Sequence, residues 1–158
     1  MTDQPRKPIP KVAYAPMLGL ETYVRAKVDK DSSHLVQLRA SALNQCVYCL
    51  AMHRRDARKD GWSKEKISHT EAWTQHRDGF TDAEIAALEL TDAVTNIHGE
   101  DSVPDELWAR VEHHHGEKGA RNLLMAIVTI NAWNRIGITT RLDPTSLAGV
   151  DAFDLKQE

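Results

Sequence analysis

The chain is predicted to be all-α. Apolar residues recur at helical three- and four-residue spacing along most of it. No segment alternates cleanly with period two. Helix-opening residues and helix-closing glycines stand at the ends of the periodic stretches. With 158 residues, 41% of them hydrophobic, one domain with its own core is expected.

Four of the six prolines fall in residues 1–16, so residues 1–15 are expected to be an extended arm. A helical domain follows over 16–142, and residues 143–158 form a short irregular tail. Pro16 suits the first turn of a helix reaching about Val28. Ser32 or Ser33 caps a second helix, from about His34 to Leu43. Asn44-Gln45 is a break, and a third helix runs from Cys46 to Gly61, which closes it. Its last turns carry Arg54, Arg55, Arg58 and Lys59, cations that complement the helix dipole.

Ser63 caps a fourth helix, to about Gln75. Thr81-Asp-Ala-Glu84 is a capping box that opens a fifth, to about His98. Pro104 opens a sixth, to about His115, and a turn over Gly116–Gly119 leads to the last, from about Ala120 to Ile138. That makes about seven helices. The last is apolar nearly all round, which places it centrally or in a subunit interface. Asn131, Asn134 and Arg135 interrupt it, and their buried polar groups need hydrogen-bond partners.

Several function classes are excluded. The net charge is −3 and no basic stripe stands out, so no nucleic-acid partner is expected. The first residues lack a signal-peptide apolar core, and residues 123–138 are too polar to span a membrane, so a cytoplasmic protein is expected. The only two cysteines are three residues apart, which cannot staple a secreted scaffold. No flavin, haem or nucleotide motif is present, so no bound cofactor is expected. His113, His114 and His115 read as a solvated helix end, and the four tryptophans as core or interface anchors.

The chemistry sits in Cys46-Val-Tyr-Cys49 and His53. A thiolate in the first turn of a helix faces unpaired N–H groups and the positive end of the dipole, which lowers its pKa below the free value of about 8.5. Positions 46, 49 and 53 share one helix face. His53, with an ordinary histidine pKa near 6.5, can therefore take a thiol proton. One thiolate can attack a hydroperoxide and become a sulfenic acid; the other thiol then closes a disulfide, which a dithiol donor restores. A closed zinc site, with His53 and His34 as the further ligands, and a pair of inert buried thiols are the competing readings.

The stretch from Leu35 to His53, LVQLRASALNQCVYCLAMH, closely resembles the core motif of the AhpD-like alkyl hydroperoxidases, in the carboxymuconolactone decarboxylase superfamily. The likeness extends through Asp56–Gly61, the Trp73 region, Phe80–Leu88 and Thr129–Arg135. It implies an all-helical fold that assembles as trimers or hexamers. It implies thiol-dependent reduction of a hydroperoxide, with Cys49 as the peroxidatic cysteine, Cys46 as its disulfide partner and His53 in the proton relay.

Two positions depart from the pattern. The family carries a glutamate twelve residues before the first motif cysteine, where this chain has His34. Some members carry a histidine between the cysteines, where it has Tyr48. Both residues are candidates for the relay, and Glu71 or Glu89 is a candidate for the missing charge. The rival functions are decarboxylation of a carboxymuconolactone-type lactone and a non-enzymatic thiol redox sensor.

Overall fold

The computed structural model describes residues 6, 7 and 9–156, and every regular element among them is helical. Six α-helices are present: α1 (Ala15–Lys27), α2 (Lys30–Leu43), α3 (Val47–Lys59), α4 (Lys64–Glu71), α5 (Asp82–Thr95) and α6 (Asp105–Thr140). The expected sixth and seventh helices are the two parts of α6. They meet at Gly116, whose φ of 71° and ψ of 160° leave the helical region; glycine adopts that backbone at no steric cost.

Of the expected arm, residues 1–5 and 8 lie outside the described residues. The part that is described ends in a 3₁₀ turn, Lys11–Tyr14, and Arg6 donates to the Thr139 carbonyl at 3.0 Å. Asp29 caps α2, accepting from the Ser32 amide at 2.9 Å, so the helix starts two residues before the serines expected to open it. Asp29 wins because a carboxylate at the N-cap adds charge to the hydrogen bond. Ser63 and the Thr81–Glu84 box cap α4 and α5 as expected. Both helices end earlier than predicted, at Glu71 and Thr95.

α2, α5 and α6 pack on one another around Val36, Ala40, Leu90, Val111, Ile127 and Ile130. Alanines at 40, 86, 87, 120 and 126 let the helices approach closely. Each buried Leu or Ile in such a cluster contributes about 1.5–3 kcal/mol. Two smaller clusters lie beside it, Leu35–Trp73–Leu88 and Leu38–Ala57–Ile67.

Polar ties fix the register. Arg39 on α2 forks Asp92 on α5 at 2.5 and 2.8 Å, and Trp73 donates its indole N–H to the same carboxylate at 3.1 Å. The Asn44 amide reaches Oδ1 of Asn131 and of Asn134 at 2.9 and 3.0 Å. Asn131 in turn donates to Thr95, and Asn134 to Ser41, each at 3.0 Å. The polar interruptions of the apolar helix thus find their partners within the chain and bind the end of α2 to α6.

The basic end of α3 does more than offset a dipole. Arg54, 2% exposed, forks Glu71 with two bonds of 2.7 Å and also donates to the Asp154 and Lys156 carbonyls. Arg58 pairs with the buried Asp154 carboxylate. The tail expected to be irregular is therefore strapped across α3.

Candidate active site

Two helix ends meet at Cys46. The Cys46 amide donates to Ser41 and the Gln45 amide to Ala42, both at 3.0 Å, a Schellman closure of α2 with Gln45 at φ 55°. The Cys46 carbonyl accepts from Leu50 at 2.8 Å, the first bond of α3. Cys46 is thus the N-cap of α3 and Cys49 its third residue. Their Cα atoms are 5.2 Å apart and the sulfurs are joined as a disulfide. Both residues are buried.

α6 closes the other side of the pair. An added Cβ at Gly137 would lie 3.2 Å from the Cys46 sulfur and 3.3 Å from that of Cys49. The absence of a side chain there lets α6 pass directly over the disulfide.

A cavity of about 1010 Å³ opens beside it. Cys49 lines this cavity and Cys46 does not. Leu18, Val24, Met52, Ile130 and Trp133 give it apolar walls, and Tyr14 stacks on Trp133 at 5.9 Å. His53, His34 and Tyr48 line it too, so four of the five residues singled out from the sequence share one space.

His53 is 6% exposed, and its Nε2 has no hydrogen-bond partner among the described residues. Burial pushes its pKa down to about 4; Asp56 opposes that, while His34 and Arg55 add to it. The ring is therefore neutral at pH 7 with the disulfide formed. This corrects the expectation of an ordinary histidine pKa: the fold dehydrates the ring more than neighbouring charge supports it.

His34 is equally buried. Its Nε2 bonds Asp60 Oδ2 at 2.9 Å, and its Nδ1 is buried without a partner among the described residues. Trp62 stands edge-on to the ring at 5.4 Å. Asp60 also accepts from Lys30 at 2.8 Å. The bonds from Lys30 and His34 hold its carboxyl below the usual range, so it is anionic at neutral pH.

Asp60 was not found from the sequence, and neither expected glutamate takes its place. Glu71 is committed to Arg54, and Glu89 to Arg77 and Arg110. The available signal was on α2, where Lys30 and His34 lie one turn apart and offer two donors to one acceptor. That acceptor is the C-cap of α3, held by a second Schellman closure: Gly61, at φ 94°, donates to Arg58, and Trp62 donates to Ala57.

Among the described residues no group of three or more His, Cys, Asp or Glu is placed to hold a metal ion, and no helix is long and apolar enough to cross a membrane. The triple histidine sits within α6, where His115 Nε2 donates to the Ala83 carbonyl at 2.9 Å.

Comparison with known proteins agrees with this frame. YdfG, an uncharacterized protein of Bacillus subtilis (strain 168), is 37% identical over 123 residues, which is 77% of this chain and 82% of YdfG. The crystal structure of ATU0492 from Agrobacterium tumefaciens superposes with a TM-score of 0.77 at 33% identity, covering 83% of this chain and 89% of that one. ATU0492 is of unknown function, with a suggested place in antioxidant defence as AhpD. The model of the carboxymuconolactone decarboxylase family matches residues 12–93. That stretch carries both sulfurs and His53, and the chain therefore belongs to the carboxymuconolactone decarboxylase family, among its AhpD-like members.

Proposed function

We propose that the protein is a thiol-dependent hydroperoxide reductase. The observation that carries this reading is a closable Cys46–Cys49 pair with only Cys49 lining an apolar-walled cavity, beside His53. In the reduced protein the Cys49 thiolate attacks the terminal oxygen of a hydroperoxide. The S–O bond forms, the O–O bond breaks, and the alkoxide takes a proton and leaves as an alcohol. The Cys46 thiol then attacks the sulfenic sulfur, forming the disulfide and releasing water.

A small dithiol donor supplies the two electrons that reopen the disulfide, by exchange through a mixed disulfide. Cys49 is the sulfur such a donor meets first. The apolar walls favour an organic hydroperoxide over hydrogen peroxide, since an alkyl body gains about 0.8 kcal/mol per buried CH₂. In keeping with its family likeness, the protein is taken to work in the cytoplasm as a homo-oligomer, a trimer or hexamer.

The test is consumption of cumene hydroperoxide with dithiothreitol as donor. Cys49→Ser should lower the rate to that of dithiothreitol alone. With no donor present, Cys46→Ser should consume one equivalent of hydroperoxide and keep a sulfenic acid at Cys49. Equal rates for wild type and Cys49→Ser would remove the reading. A large redox-dependent change in oligomer size with negligible turnover would replace it with the sensor.

A further inference from the structure

We infer that the Asp60–His34 pair is the proton acceptor of this site, receiving the Cys49 thiol proton by way of His53. This rests on the thiol chemistry proposed above and assigns the part of it that the family glutamate leaves open in this chain.

Among the described residues, two buried ring nitrogens, Nδ1 of His34 and Nε2 of His53, lack hydrogen-bond partners, and both rings line the same cavity as Cys49. An unpaired buried polar atom is costly. Two of them in one cavity therefore call for a function.

The tautomer of His34 follows from its partner. Asp60 is a carboxylate with Lys30 already on one oxygen, so it only accepts. His34 must then carry its hydrogen on Nε2 to donate at 2.9 Å, which leaves a lone pair on Nδ1. A proton arriving at Nδ1 makes an imidazolium facing an anion. The arrangement is that of a base oriented by a carboxylate.

Among the described residues, His53 Nε2 has no carboxylate bonded to it, and the Asp56 charge offsets its burial only in part. Burial disfavours its charged form, so it passes a proton better than it keeps one. In the transfer, the Cys49 S–H bond breaks and one nitrogen of His53 gains the proton. The other nitrogen releases its own, and His34 Nδ1 gains it. A thiolate and an Asp60-bound imidazolium result, with no change in oxidation state.

Most of the other charges around the cavity have partners. On α1, Arg25 pairs with Glu21 at 3.1 Å. On α3, Asp56 pairs with Arg55 at 2.8 Å, and Lys59 is exposed. On α2, Lys30 is spent on Asp60. Tyr48 adds a phenol, and α6 contributes Thr129, Ile130, Trp133 and Gly137, which carry no charge. Among the described residues, Asp60 is the carboxylate hydrogen-bonded to His34.

The experiment is the pH dependence of Cys49 alkylation by iodoacetamide in reduced protein, followed by mass spectrometry. Asp60→Asn keeps the shape and removes the charge. It should move the profile up by about one pH unit, leaving about tenfold less thiolate at neutral pH. His34→Gln should move it as far or further. His34→Glu should return it toward wild type, and in that background Asp60→Asn should change the neutral-pH rate less than about twofold.

Profiles unmoved by both Asp60→Asn and His34→Gln would overturn the inference. So would an Asp60→Asn shift equally large in the His34→Glu background, which would mark Asp60 as a structural clamp for Lys30. The readout needs no peroxide. Shifts as expected in a protein without peroxide turnover would refute the reductase reading alone.

Discussion

At the scale of single residues, burial of His53 makes the oxidised protein sensitive to mild acid. Its folded pKa of about 4 lies below the unfolded value near 6.5. Between those values the unfolded chain binds a proton that the folded one refuses, so stability falls as pH drops. The contribution is complete above pH 6.5 and lost by pH 4, at most about 3 kcal/mol. Urea midpoints of the oxidised protein at pH 7, 5.5 and 4.5 should fall in that order, and His53→Gln should flatten the slope. Below pH 4 the carboxylates held low, Asp29, Asp60 and Asp151 among them, take over. The sequence located His53 because its spacing from Cys49 lies within one helix. Its dehydration was not legible, since it depends on elements that pack on α3 from elsewhere in the chain, α2 and α6 among them. Asp60 was hidden for a related reason: it meets His34 across 26 residues of separation.

At the scale of elements, the contact of α6 on the disulfide predicts what Gly137 tolerates. Replacing a helical glycine by alanine gains about 1 kcal/mol of helix propensity, and overpacking costs about 1–3 kcal/mol. Gly137→Ala therefore nearly cancels and decides little. Gly137→Val adds branching over both sulfurs with little propensity gain and should destabilise the oxidised protein by about 2 kcal/mol or more in a urea titration. Helix starts were readable where the cap is a local side chain without a rival, as at Ser63 and Thr81. At the start of α2, Asp29, Asp31, Ser32 and Ser33 all compete, and pattern alone does not rank them. The turn before Ala120 was overdrawn because two glycines were read as one break, whereas only Gly116 leaves the helix.

At the scale of the whole molecule, the tail makes residues 151–156 part of the frame. Asp154 is 1% exposed, pairs with Arg58, and accepts from the Asp151 amide at 2.9 Å. Phe153 lies among Arg54, Lys64 and Lys156 at 5.0–5.9 Å. Asp154→Ala should cost about 2 kcal/mol, less than a fully buried pair because Arg58 can turn toward water. Limited proteolysis should then cut within residues 147–156 while the rest survives. None of this was visible from composition, since the tail's partners lie about 100 residues earlier. A further consequence attends Cys46, whose amide finishes one helix and whose carbonyl begins the next. Its main chain is pinned from both directions, so opening the S–S link frees only side-chain torsions. Amide exchange around residues 41–50 should therefore be nearly the same in both oxidation states.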